Sequence, residues 1–180
     1  MKGRNIGSSI AAVLGLVLIH SMAGAQTLTI GTDSAKPGQA VQVPVILSAG
    51  VDSAAALVRI DYDADKMENP SALAGPLVGA GHALDAFSPE PGRLNVAVYP
   101  PAGAPALTAQ SGILFYLVFD IKAGATSGAT PLALTTAGPP ALPALDLTAA
   151  DGSSLTPTLT AGSVTILAKS SAHREWLLYE

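Results

Sequence analysis

Acidic residues cluster in one short segment, and carboxylates at this spacing could bind a metal ion. The segment reads Asp61-Tyr-Asp-Ala-Asp-Lys-Met-Glu-Asn, with acidic residues at positions 1, 3 and 5, as in a calcium-binding EF-hand loop. That loop also needs a glycine at position 6 and an acidic residue at position 12, where this chain has Lys66 and Ala72. The sequence therefore argues against an EF-hand. We predict no metal site and no cofactor, with weak calcium binding of another type as the alternative.

The same segment holds the best candidates for hydrolytic chemistry. Asp61 and Asp63 lie two residues apart on a predicted strand, within the range of about 5–10 Å that separates glycosidase carboxylates. They stand at the end of that strand beside Asp65, where acidic side chains commonly orient a turn. After residue 25 the only histidines are His82 and His173, and no nucleophile-elbow motif accompanies them. We therefore predict that the protein is not an enzyme.

The N-terminus has the pattern of a secretory signal peptide. Lys2 and Arg4 precede the apolar run 10–19, and the small residues 23–25 form a cleavage signature before Gln26. We predict a signal peptide over residues 1–25 and a secreted product, either extracellular or periplasmic. The alternative is an uncleaved anchor. No later apolar stretch approaches transmembrane length, so no membrane span is expected after cleavage.

The charge of the predicted mature chain restricts its partners. Removal of the first 25 residues leaves 7 basic and 13 acidic residues, a net charge of −6. This sign argues against binding to nucleic acid or to an anionic membrane, because both require a basic surface. The chain has no cysteine, so neither disulfides nor thiolate metal sites can stabilise the fold.

The apolar residues occur in short runs rich in Val, Ile, Leu and Thr, separated by Gly and Pro. This pattern predicts an all-β protein, and the predicted strands are 27–32, 40–47, 54–62, 93–99, 113–122, 130–137 and 163–168, with weaker ones near 145–148 and 154–159. Turns are predicted at Pro37-Gly38 and Asp151-Gly152. Residues 63–92 are predicted to form a long connection over the sandwich. The tail 169–180 is predicted to be a short helix or disordered.

The order of several segments resembles the cohesin domain family over about residues 26–168. These segments are 37–45 (Pro-Gly-Gln-Ala-Val-Gln-Val-Pro-Val), a strand into Tyr62-Asp63, 92–98 (Gly-Arg-Leu-Asn-Val-Ala-Val), 111–122 and 161–166 (Ala-Gly-Ser-Val-Thr-Ile). The resemblance implies a two-sheet jelly-roll β-sandwich, a fold that carbohydrate-binding modules share. It also implies that one sheet face binds a dockerin, a helical module that carries its own calcium. Such pairs assemble polysaccharide-degrading complexes on bacterial surfaces.

The resemblance places the dockerin surface on strands 54–62, 93–99 and 113–122. A period of two directs Val58, Leu94 and Val96 into the core and the intervening residues outward. The outward set has an apolar centre with a polar rim, as protein interfaces do. The predicted binding residues are Ala55, Leu57, Arg59, Asp61, Asn95, Tyr99, Leu114, Tyr116 and Val118.

Three observations leave alternatives open. The best-known cellulosomal cohesins carry Asn and Asp at the positions that match Ala55 and Leu57, which favours a divergent partner or none of the dockerin class. The loops 63–92 or 100–111 could instead cover the face. A carbohydrate-binding module is the alternative function, with Tyr99 and Tyr116 as a short sugar-binding platform.

Overall fold

The computed structural model describes residues 24–50, 52–78, 81–100, 111–135 and 145–169. Within these ranges the structure has thirteen β-strands and no helix. They are β1 Gly24–Ile30, β2 Thr32–Ala35, β3 Ala40–Gly50, β4 Ser53–Asp61, β5 Met67–Ala74, β6 Ala83–Glu90, β7 Arg93–Tyr99, β8 Gly112–Ile121, β9 Gly128–Leu134, β10 Leu145–Ala149, β11 Ser154–Leu155, β12 Thr158–Thr160 and β13 Gly162–Ile166. Most of the predicted signal peptide (residues 1–23) and of the predicted tail (residues 170–180) lies outside the described ranges.

Backbone hydrogen bonds join the strands into two sheets. The first sheet has the order β12-β1-β3-β8-β5. In the second, β4 is central: one edge of β4 pairs with β7, and the other pairs with β10 and β9 at different positions along the strand. This sheet continues from β7 to β6 and from β9 to β13 and β2. The all-β fold is a two-sheet jelly-roll sandwich, as the sequence predicted.

Alternating side chains from both sheets form one core. The first sheet contributes mainly β3 and β8, and the second mainly β4 and β7. Buried residues of these four strands include Val41, Val43, Val45, Leu47, Phe115, Leu117, Phe119 and Ile121 from the first sheet and Val58, Ile60, Leu94, Val96 and Val98 from the second. Burial of each large apolar side chain contributes about 1.5–3 kcal/mol to folding. The inward faces predicted for β4 and β7 are therefore confirmed.

The two turns predicted from Gly and its neighbour are also confirmed. Gly38 has a φ of 83°, and Gln39 N donates to Lys36 O at 3.0 Å, which closes the turn between β2 and β3. Gly152 has a φ of 86°, and the Asp151 side chain accepts a hydrogen bond from Ser153 N at 2.9 Å. Glycine adopts this left-handed conformation without steric cost.

The connection predicted over residues 63–92 is instead largely two strands, so that prediction was wrong. β5 pairs with β8 in the first sheet, and β6 pairs with β7 in the second. A two-residue turn, Pro91-Gly92, joins β6 to β7, with Gly92 at a φ of 86°. Frequent Gly and Pro residues obscured both strands in the sequence, because these residues are depleted from strand interiors.

β5 and β6 are edge strands that lie close to each other, and both are irregular. The register of β5 shifts between Glu68 and Ser71, where Asn69 has a φ of 50° and is followed by Pro70. The register of β6 shifts between Phe87 and Glu90, a stretch that contains Pro89. Each of these two edge strands therefore contains a proline and a break in its hydrogen-bond register, on the side of the sandwich where β5 and β6 lie close together.

A bulge in β8 changes the face on which one predicted binding residue lies. The pairing of β8 with β3 shifts between Val45 and Ile46, which leaves Leu114 as an extra residue next to Phe115. Leu114 and Phe115 are both 0% exposed, because a bulge can direct two consecutive side chains to the same side. The prediction that Leu114 points outward was wrong for this reason.

Gly75 allows the chain after β5 to approach this bulge. Gly75 N donates to Leu114 O at 3.0 Å, and a Cβ atom on Gly75 would lie 2.3 Å from Ile113 O. We expect Gly75→Ala to destabilise the fold by about 1–3 kcal/mol, because the clash is with backbone. Urea unfolding measures this change. Gly124→Ala is the matched control, since its Cβ would meet nothing within 4 Å, and equal stability of the two variants would contradict the prediction.

Candidate partner-binding face

The outward side of the second sheet forms a continuous surface across four strands, which we call the β4–β7 face. Its rows run perpendicular to the strands, and the residues in a row are neighbours in the sheet register. From one end of the face to the other, the rows are Asp146–Leu57–Ala97–Asp85, then Arg59–Asn95–Phe87, then Ala133–Asp61–Arg93–Glu90. Ala55 and Tyr99 lie beyond the first of these rows.

Large apolar side chains are exposed on this face, and together with Leu57 and Ala97 they form what we call its apolar centre. Phe87 is 52% exposed and Tyr99 is 41% exposed, and both are among the few large apolar side chains that reach solvent in the described part of the chain. Leu57 and Ala97 are half-buried between them. Exposed aromatic residues beside small and aliphatic ones are typical of the centre of a protein interface.

A buried polar pair lies next to this apolar centre. Arg59 Nε donates to Asn95 Oδ1 at 3.1 Å, and both residues are only 5% exposed although they alternate with core residues. Asn95 stands between Arg59 on β4 and Phe87 on β6. The hydrogen bond therefore fixes both side chains against the sheet, which reduces the conformational entropy that they would lose when a partner binds.

A charged network closes one end of the face. Arg93 Nε donates to Asp61 Oδ1 at 3.1 Å, Arg93 Nη1 donates to Glu90, and the Thr135 hydroxyl donates to the second carboxylate oxygen of Asp61. The hydrogen bond to Asp61 and the charge of Glu90 raise the pKa of Arg93 above its usual value. Asp61 is thus held by neighbours on β7 and just after β9, and Asp61 and Glu90 share the single positive charge of Arg93.

Tyr99 and Asp85 form a second polar contact across β7 and β6. The Tyr99 hydroxyl donates to Asp85 Oδ2, and this hydrogen bond together with the negative charge raises the pKa of Tyr99 above its usual value of 10.0. The contact holds the Tyr99 ring over the face and leaves the other oxygen of Asp85 available to a partner.

The structure brings six of the nine predicted binding residues together and separates three from them. The six on the β4–β7 face are Ala55, Leu57, Arg59, Asp61, Asn95 and Tyr99. The other three, Leu114, Tyr116 and Val118, belong to β8 in the opposite sheet, so the prediction of one shared face was wrong. Tyr116 and Val118 do point outward and are half-buried, but they neighbour Leu73, Pro44 and Gln42 on the other side of the molecule.

The acidic segment that resembles a calcium loop is a turn between β4 and β5. Asp63 Oδ1 accepts a hydrogen bond from Asp65 N at 3.0 Å, and Asp63 Oδ2 lies 3.3 Å from Lys66 Nζ. In the residues that the structure describes, no group of three or more His, Cys, Asp or Glu side chains could hold a metal ion. The Asp63 carboxylate therefore stabilises this turn.

Comparison with known proteins identifies the family. The family model for the cohesin domain matches residues 26–166. The chain belongs to the cohesin domain family. Its β4–β7 face is thus the outer face of one cohesin sheet.

Three relatives illustrate how far this similarity extends. Cellulose-binding protein A of Clostridium cellulovorans is 32% identical over 109 residues, which cover 61% of this chain and 6% of that protein. The cohesin CaCohA2 from Clostridium acetobutylicum superposes with a TM-score of 0.66 and 26% identity, over 79% of this chain and 90% of that one. The sixth cohesin of scaffoldin B from Acetivibrio cellulolyticus, solved in complex with a Cel5 dockerin, has a TM-score of 0.66 and 23% identity, over 79% and 99% of the two chains.

Sequence reasoning missed the residues of the β4–β7 face that lie on β6 and β10. Phe87 and Asp85 lie on β6, which was predicted as part of a connection, and Asp146 lies on β10, which was only weakly predicted. A usable signal was present. Pro91-Gly92 is a two-residue turn, and before it Leu84, Asp85 and Ala86 alternate between apolar and polar as in a strand. This hairpin places Phe87 beside Asn95.

The contact between Tyr99 and Asp85 predicts a measurable titration. We expect the Tyr99 phenol to ionise at a higher pH than an ordinary tyrosine, because Asp85 favours its neutral form. Asp85→Asn keeps a hydrogen-bond acceptor but removes the charge, so it should lower the pKa of Tyr99 towards its usual value. NMR titration of the tyrosine ring carbons measures this shift. Asp65→Asn, which alters an exposed acid in the β4–β5 turn, is the control. An unchanged titration in Asp85→Asn would contradict the assignment.

Proposed function

We propose that this cohesin domain is a non-catalytic module that binds a dockerin through the β4–β7 face. The observation that carries the proposal is an exposed apolar centre, formed by Phe87, Tyr99 and Leu57, on one sheet of a cohesin fold. The Acetivibrio cellulolyticus cohesin described above was solved with a dockerin, and the present chain shares its fold. Rigid strands present the centre in a fixed geometry, which favours recognition of another folded module.

The composition of the face supports a partner that differs from the dockerins of well-known cellulosomes. Ala55 and Leu57 occupy positions where those cohesins carry Asn and Asp, so this part of the contact has no side-chain hydrogen-bonding group. We propose that the partner meets these two residues with apolar side chains. Its polar contacts would then fall around the Arg59–Asn95 pair and at the rim of the face.

The wider setting is also part of the proposal. We propose that the protein is secreted and takes part in assemblies that degrade polysaccharides; its similarity to Cellulose-binding protein A supports this, although the chain spans only 6% of that relative's length. Within the described residues, no helix has the length and apolar character needed to cross a membrane. The carbohydrate-binding alternative loses its predicted platform, because Tyr99 and Tyr116 lie on opposite sheets.

Identical substitutions on the two sheets test which face binds. We expect Tyr99→Ala or Phe87→Ala to weaken dockerin binding by about tenfold or more, since burial of one large side chain contributes about 1.5–3 kcal/mol. Tyr116→Ala should leave affinity unchanged, because Tyr116 lies on the opposite sheet. Isothermal titration calorimetry against a panel of purified dockerins measures the effect. Loss of binding in Tyr116→Ala with retention in Tyr99→Ala would place the interface on the other sheet.

Calcium removal provides an independent test of the partner class. A dockerin depends on its own bound metal for its fold, so chelation should release it from the immobilised cohesin domain. The measurement is a pull-down from the native secretome with and without EDTA, followed by mass spectrometry. The cohesin domain itself should show the same thermal unfolding midpoint in both conditions. Partners that all stay bound in EDTA would contradict a dockerin.

A further inference from the structure

The charges on the β4–β7 face indicate the chemistry of the partner surface, an inference that rests on the proposed function. One row of the face reads Asp146–Leu57–Ala97–Asp85 from β10 across to β6. Two apolar side chains are therefore bordered on both sides by a carboxylate, and the row itself contains no basic residue.

The two bordering carboxylates are available to a partner to different degrees. Asp85 is exposed and accepts one hydrogen bond, from Tyr99, which leaves further lone pairs on its carboxylate. Asp146 is half-buried and has no hydrogen-bond or ion-pair partner in the part of the chain that the structure describes. By contrast, Asp61 and Glu90 at the end of the face are already paired with Arg93. Among the described residues of the face, the carboxylates without a basic partner are therefore the two in the row of Leu57 and Ala97.

The separation of these carboxylates matches the width of a helix. Three inter-strand spacings of about 4.8 Å separate β10 from β6, which places the Asp146 and Asp85 backbones about 14 Å apart. An α-helix with its side chains is about 10–12 Å wide. A helix that lies along β4 and β7 would thus cover Leu57 and Ala97 and pass between the two acids. Lys and Arg stems on its flanks could lie over apolar surface while their charged ends reach the carboxylates.

We propose that the partner contacts this face with one helix whose apolar stripe is bordered by a Lys or Arg on each side, one for Asp85 and one for Asp146. The apolar stripe provides most of the affinity, and the two basic borders fix the position of the helix across the strands. Charges at the rim of an interface act mainly on association rate and on specificity against like-charged partners. A helix with acidic borders should accordingly be rejected.

A selection experiment tests this preference directly. The probe is a yeast-display library of calcium-loaded dockerin modules, in which the residues that border the apolar stripe of each helix vary among Lys, Arg, Gln and Glu. Selection on the wild-type chain should enrich Lys and Arg at one border position on each side. Selection on the Asp85→Asn, Asp146→Asn double variant should lose this enrichment, whereas Asp65→Asn should keep it. The thermal unfolding midpoint of each variant verifies its fold.

Affinity measurements on selected dockerin clones show how much Asp85 and Asp146 contribute to binding. We expect the double variant to bind a basic-bordered dockerin about three- to tenfold more weakly in 50 mM NaCl, and the difference should shrink in 500 mM NaCl because salt screens exposed charges. Binders without basic enrichment would overturn this inference and leave the proposed function intact. Failure of every dockerin to bind, whatever its borders, would overturn the proposed function together with the inference.

Discussion

Apolar contact between the two sheets determines the geometry of this protein. The inward side chains of β3 and β8 meet those of β4 and β7 in one closely packed core, and the chain has no cysteine that could link the layers covalently. Since stacked sheets lie about 10 Å apart, this packing also fixes the distance between the two outer faces of the sandwich. A side chain on β4 and one on β8 therefore cannot contact the same flat partner surface. The binding face must be built within a single sheet.

Within that constraint, the hydrogen-bond register between strands determines which residues are neighbours on the β4–β7 face. Leu57 and Ala97 are neighbours because β4 and β7 are antiparallel and in register, and Phe87 joins Asn95 through the hairpin of β6 and β7. Residues from four segments thus become one surface with little freedom to rearrange. Such a surface would lose little conformational entropy on association with a partner.

Local patterns in the sequence predicted much of this fold, because the alternation of a strand is encoded along the strand itself. The inward residues Val58, Leu94 and Val96 and the turns at Gly38 and Gly152 follow from such local signals. The sheet to which β8 belongs does not follow from local signals, because the outward side of β8 is apolar in either sheet. Only long-range pairing with β3 and β5 determines its position. The bulge at Leu114 likewise depends on the register with Val45 and Ile46. The six face residues on β4 and β7 could be predicted because alternation along a strand is local. The three residues on β8 were misplaced because long-range pairing decides which sheet β8 joins.

The irregular edges of β5 and β6 affect how such molecules behave when many copies are crowded together. Pro70 and Pro89 each lack an amide hydrogen, and the left-handed Asn69 bends the ladder of β5 at the same margin of the sandwich. A strand from another molecule cannot extend either sheet continuously along these margins, because donors are missing and the register is broken. At these two margins, edge-to-edge pairing of neighbouring copies is therefore disfavoured, while side-chain recognition on the flat surface remains possible.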